Sequence, residues 1–171
     1  MKKIVYWSPI VSKIATHKAV INSAISLKKY SDKYDVSIIN TIGEFDTFKN
    51  NNFKINLINF YKEKRNYHGS SFWKTRLSLV RIFFSNFLKL KNFLKKEEPD
   101  YIIIHLLTSL PLLLLCLFSF KTKFILRISG LPRMNLIRYI LWKISLKKVY
   151  SVTCPTNKTR EYLININIVN K

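Results

Sequence analysis

At 171 residues, 48% of them hydrophobic, the chain is of single-domain size with enough apolar content to bury a core. Only 3 glycines and 5 prolines exclude a low-complexity or linker-like polymer, and 2 cysteines far apart in sequence, Cys116 and Cys154, exclude a disulfide framework or a cysteine metal cluster. The balance of 30 Lys and Arg against 9 Asp and Glu, a formal +21, says little of the fold but favours polyanionic partners such as nucleic acid, anionic lipid or phosphorylated substrates.

The start, Met1-Lys-Lys-Ile-Val-Tyr-Trp-Ser-Pro9, is basic but has no apolar stretch long enough for a signal peptide, so a reducing, cytosolic setting is expected. Lys3 to Trp7 reads as a first strand, ended by Ser8-Pro9. A loop and then a helix from about Thr16 to Lys29 follow, with Ala19, Val20, Ser23, Ala24 and Leu27 at helical spacing and Thr16 as its cap. Tyr34 to Asn40 is a second strand, Thr41 to Asn52 a polar loop, and Phe53 to Tyr61 an alternating strand nearer a sheet edge. After a charged loop, a long helix is expected from Phe72 to Lys96. At about 100° per residue, Phe72, Leu79, Val80, Phe83, Phe87, Leu90 and Leu94 share an arc of about 100° that should face the core, with most basic residues in a separate arc. Glu97-Glu98-Pro99 stops it.

Between Asp100 and Lys121 lie 20 residues without a formal charge, long enough for one bilayer-spanning helix. The same stretch divides into a strand (Tyr101 to Leu107), a helix capped by Thr108 or Ser109 with Pro111 in its first turn, and a turn before a second apolar strand, Phe124 to Ile128. His105 and Pro111 would sit badly in a lone spanning helix, which favours the divided reading, a parallel unit buried on both faces. Gly130-Leu-Pro132 then turns the chain into a basic helix, Met134 to Lys148, with Ile137, Leu141 and Ile144 on its buried side. Ser151 to Pro155 is a sixth short strand and Asn157 to Leu163 a last helical segment. Strands alternating with helices imply an α/β, Rossmann-like, doubly wound parallel sheet.

Ligands of such sheets bind at the carboxyl edge of the strands. The loop from Ser8 to His17 lies there but lacks the G-x-G-x-x-G pattern, with Ile and Val where close phosphate approach wants glycine. His105, ending an apolar strand before a helix, can orient a hydroxyl or stabilise developing positive charge; a satisfied core histidine is the competing reading. Arg127 inside a strand demands an anionic or carbonyl partner, either a ligand or a structural acid such as Glu44 or Asp46, and Ser129-Gly130 permits a close backbone approach. Neither an RNP-like, KH nor zinc pattern supports nucleic acid. The basic faces of the 72–96 helix, Lys89, Lys91, Lys95 and Lys96 among them, and of the 134–148 helix fit an anionic bilayer surface.

Lys3-Ile-Val-Tyr-Trp-Ser-Pro9 with Ala15-Thr-His-Lys-Ala-Val-Ile-Asn-Ser-Ala24, Pro99-Asp-Tyr-Ile-Ile-Ile-His105, Phe124-Ile-Leu-Arg-Ile-Ser-Gly-Leu-Pro132 and Val152-Thr-Cys-Pro-Thr156 together resemble the N-terminal, acceptor-side domain of a GT-B glycosyltransferase of the family 4 type, as found in bacterial surface-polysaccharide synthesis. The resemblance implies one half of a GT-B enzyme, a retaining transferase that moves a sugar from a nucleotide-sugar to a lipid-linked or polysaccharide acceptor without a required metal or cofactor. By position, His105 matches a catalytic-site histidine, and Ser12, Thr16, His17, Arg127, Ser129 and Gly130 fall in acceptor-binding places. The chain departs from the family in lacking the glycines of the first loop and in having Ser129 where the family has histidine. The nucleotide-sugar would be bound mainly by a second domain or partner chain with paired glutamates, which these residues do not contain, so catalysis by this chain alone is not expected. The expected location is peripheral, on the cytoplasmic face of the cell membrane. The rival expectation is a non-enzymatic basic module for anionic membranes or another polyanion.

Overall fold

The structure, a computed structural model, describes residues 1–9, 15–46, 55–61 and 72–169. In chain order it contains β1 (Lys2–Trp7), α1 (Ala15–Tyr30), β2 (Tyr34–Asn40), β3 (Asn56–Asn59), α2 (Phe72–Glu97), β4 (Tyr101–Ile104), α3 (Ser109–Leu117), β5 (Lys123–Arg127), α4 (Leu136–Ser145), β6 (Ser151–Thr153) and α5 (Asn157–Asn165). All six strands are parallel, in the order β3-β2-β1-β4-β5-β6. This is the Rossmann-like, doubly wound α/β arrangement that the alternation of strands and helices implies.

Both faces of the sheet are covered, which is why its central strands carry no polar side. In β1, Ile4 and Tyr6 pack with Val20 and Ala24 of α1, and with Val36 and Ile38 of β2, on one face. Val5 and Trp7 join Leu90 and Leu94 of α2, the leucines of α3, Trp142 of α4 and Leu163 of α5 on the other. Among the described helices, one therefore covers the first face and four pack on the second.

The apolar centre of the chain divides as the turn signals imply. Tyr101–Ile104 is strand, Ser109–Leu117 is helix, and between them Leu107 takes a left-handed conformation at φ 46°. For a branched side chain that conformation costs roughly 1–2 kcal/mol, and here it breaks the run where a spanning helix would have continued. Among the described residues, no helix is long and apolar enough to cross a membrane. Leu110, Pro111, Leu112, Leu114 and Leu115 of α3 are all buried instead.

Some local expectations need correction. Thr16 lies inside α1 rather than capping it. Thr108 precedes α3 with helical backbone angles and makes no side-chain cap bond; side-chain caps are found at α4, where the Asn135 oxygen accepts from the Arg138 N–H, and at α5, where Thr156 accepts from Thr159. In α2 the buried row is Ser78, Ile82, Asn86, Leu90 and Leu94, whereas Val80 is exposed. In α4, Ile137 and Ile144 face solvent, and Trp142 and Ser145 are buried. Both helices carry apolar residues around most of their circumference, so periodicity alone could not say which row meets the sheet.

Candidate functional site

The strand order reverses between β1 and β4: the chain leaves β1 towards β2 and β3, then returns to lay β4 on the other side of β1. Helices diverge at such a point and leave a crevice above the carboxyl ends of the two strands. His105 follows β4 there, its backbone N–H donating to the Trp7 carbonyl at 3.0 Å. That bond extends the β1–β4 ladder by one residue and fixes where the imidazole stands. The ring is 4% exposed, its centroid 5.9 Å from that of Tyr6, and its Nε2 has no hydrogen-bond partner among the described residues. Ser8, the residue after β1, is likewise buried with an unpartnered Oγ. Two buried polar atoms without partners at one sheet edge are unusual.

Burial holds the His105 pKa down, to about 4, and the nearby Arg127 charge adds to the effect. The imidazole is therefore neutral at physiological pH, able to offer or accept one hydrogen bond at Nε2 but not to act as a standing cation.

Arg127, at the end of β5, is half-buried and donates to Ser23 Oγ of α1 at 3.2 Å. Ser23 Oγ also shares a 2.9 Å hydrogen bond with the Tyr6 hydroxyl. Tyr6, Ser23 and Arg127 thus form a polar chain across the α1 face of β1 and β5. Burial pushes the Tyr6 pKa up, while the Ser23 bond and the Arg127 charge pull against it. No carboxylate among the described residues pairs with Arg127: Glu44 is turned inward, accepting from the Thr41 N–H and hydroxyl and from the Ile42 N–H at 2.7 Å. The structural ion pair weighed for Arg127 is not formed with Glu44.

Two cavities meet at this ridge. One, of about 660 Å³, lies on the α3–α4 side, walled by His105, Arg127, Ser129 and Gly130 together with Arg133 and Arg138. The other, of about 710 Å³, lies on the α1 side, where Thr16, Ser23 and Tyr6 face His105, Arg127 and Ser129. Among the described residues, no acid lines either. A Cβ placed on Gly130 would meet nothing within 4 Å, so a ligand has room against that stretch of backbone. The arrangement offers neutral and cationic hydrogen-bond donors around a crevice, which suits hydroxyl-rich or anionic molecules. Among the described residues, no cluster of His, Cys, Asp and Glu could hold a metal ion.

The structure brings His105, Arg127, Ser129 and Gly130 to one cavity and Thr16 to the neighbouring one. His17 is engaged elsewhere: its Nε2 lies 3.0 Å from the Glu44 carbonyl and its ring stacks on Phe45 with centroids 4.7 Å apart, tying α1 to the loop after β2. Ser12 lies outside the described residues. Of the four lysines assigned to a membrane surface, Lys89 turns inward, donating to the Phe60 carbonyl at 2.9 Å with its ammonium 3.3 Å from the Tyr61 ring centroid. Lys91 and Lys95 reach over the Phe118 ring, and Lys96 is exposed. Sequence reasoning missed Tyr6 and Ser23. A tyrosine in an otherwise aliphatic strand, whose hydroxyl must find a partner when buried, was the available signal.

No protein-family model matches the chain, and its sequence matches no curated protein significantly.

Proposed function

We propose that this chain is the acceptor-binding half of a retaining glycosyltransferase, holding a lipid-linked or surface-polysaccharide acceptor in the crevice between β1 and β4. The observation that carries the reading is the group at that crevice: buried His105 with an unpartnered Nε2, and Arg127, which no described carboxylate neutralises, beside the open backbone of Gly130. Sugar hydroxyls and phosphates are the groups such donors bind. His105, neutral in its buried place, orients an acceptor hydroxyl; Arg127 holds a phosphate or hydroxyl; Tyr6 and Ser23 fix the guanidinium. The nucleotide-sugar is bound mainly by a second domain or a partner chain. The chain works at the cytoplasmic face of a membrane, where lipid-linked acceptors are anchored, with Lys91, Lys95 and Lys96 among its surface cations. Saturation-transfer NMR with short-prenyl diphosphate saccharides tests this: saccharide protons should show contact with the wild-type chain and lose it in Gly130→Val. Saccharides that ignore the folded wild type would end the reading.

A second reading, a non-enzymatic module for anionic membranes, gains support from one feature, the apolar residues that α2 and α4 turn outward. It predicts vesicle binding with no saccharide contact at the crevice.

A further inference from the structure

Along α2, Trp73, Leu77, Val80, Phe84 and Leu88 are 73, 52, 50, 72 and 62% exposed. Their 4-3-4-4 spacing places them within about 80° of helix surface at about 100° per residue. Along α4, Leu136, Ile137, Ile140 and Ile144 are 74, 80, 49 and 52% exposed, within an arc of about 100° on the same reckoning. Isolated exposed leucines are ordinary on protein surfaces, but stripes of four and five are not. Both helices pack on the same face of the sheet, so both stripes lie on the outer side of one helical layer. Exposed cations flank them, Lys74 and Arg81 on α2 and Lys143 and Lys147 on or just past α4.

We propose that the outer faces of α2 and α4 insert into an anionic lipid bilayer, apolar side chains among the acyl chains and flanking cations among the headgroup phosphates. Charge selects this occupant. A second copy of the chain would set one +21 body against another, with cations meeting cations along the stripes. An anionic bilayer supplies apolar depth and opposite charge together, as amphipathic helices lying in an interface require. Helix α2 has 26 residues, about 39 Å at 1.5 Å per residue, long enough to anchor the layer in the interface plane. The placement also orients the crevice: Thr75 and Leu79 of α2 and Arg138 and Trp142 of α4 wall the cavity that holds His105. A lipid-linked acceptor would approach it from the bilayer past the N-terminal end of α3, which lies between the two inserted helices.

This inference rests on the peripheral placement proposed above but not on sugar transfer, and its test needs no saccharide. The probe is a vesicle of phosphatidylcholine with about 30% phosphatidylglycerol, in flotation at about 0.1 and 0.5 M NaCl, conditions that separate screened from unscreened attraction. The wild type should float at both salt concentrations, and bromine-labelled acyl chains should quench emission that Trp73→Phe removes. A variant carrying Leu77→Asn, Phe84→Asn, Ile137→Asn and Ile140→Asn, all at exposed positions, should keep the wild-type circular dichroism and lose at least roughly tenfold in binding at the higher salt. Undiminished high-salt binding by that variant, or vesicle binding without quenching of Trp73, overturns the proposal. So does a wild type that ignores the vesicles, or that sediments as a dimer which the same substitutions split, the sign of a second copy on this face. A negative saccharide experiment leaves this result untouched, and a negative vesicle experiment leaves the crevice untouched.

Discussion

Helices α3 and α4 belong to the same layer, are 9 and 10 residues long, and both are rich in large apolar side chains. Their fates differ. In α3, five of the nine residues are buried; in α4 only Trp142 and Ser145 are, and three isoleucines and a leucine point outward. The difference follows from place. α3 connects two neighbouring central strands, β4 and β5, and is flanked by α2 and α4, so both of its sides meet protein. α4 connects β5 to the edge strand β6 and has only one protein-facing side to spend on burial. Apolar content therefore marks the core in one helix and a solvent-exposed face in the other.

Truncation inside the two helices should separate them most. Leu114→Ala in α3 should cost about 2–5 kcal/mol, the usual loss for a buried leucine that leaves a cavity. Ile140→Ala in α4, 49% exposed, should change stability by under about 0.5 kcal/mol. Urea denaturation of both variants measures the contrast, and equal losses would mean that α4 is covered in the folded chain.

The second contrast concerns charge rather than apolar area. His105 is neutral in the fold, with its pKa near 4 against an ordinary 6.5, so the unfolded chain takes up a proton that the folded one refuses. Stability from this group is complete above the ordinary value and falls as pH drops from 6.5 towards 4. Between pH 7 and 5 the loss should be about 2 kcal/mol. His105→Asn should flatten that slope in denaturation curves at the two pH values.

Smaller again is the difference among the lysines. Lys89→Ala breaks a hydrogen bond to the Phe60 carbonyl and removes the ammonium from the Tyr61 ring, for a cost of about 1–2 kcal/mol. Lys96→Ala, at an exposed position, should be neutral in stability. Matching thermal shifts for the two would show that Lys89 is as loosely held as Lys96.

The strands were legible because parallel strands buried on both faces appear as short, continuous apolar runs. Tyr34 to Asn40 matches β2 residue for residue, and the division at Leu107 to Ser109 followed from turn and helix-start chemistry. His105 and Arg127 were legible too, since a polar residue closing an apolar strand stands out against its neighbours. What stayed hidden is whatever depends on the third dimension. Ile137 and Ile144 fit a buried row as well as an exposed one until the edge position of β6 is known. The contacts of His17 with Phe45 and the Glu44 carbonyl could not be read from its place at the start of α1. The Tyr6–Ser23–Arg127 chain joins residues 104 apart, a pairing that no local pattern carries.

On the proposed function, an acceptor binds in the crevice between β1 and β4. The most direct test is the saturation-transfer spectrum of a short-prenyl diphosphate saccharide with the wild-type chain and with Arg127→Met. The predicted result is saccharide contact in the wild type, weakened at least roughly tenfold in a variant that still folds, as expected for a lost charged hydrogen bond. Saccharide contact that survives unchanged in Arg127→Met and in Gly130→Val would place the acceptor somewhere other than this crevice.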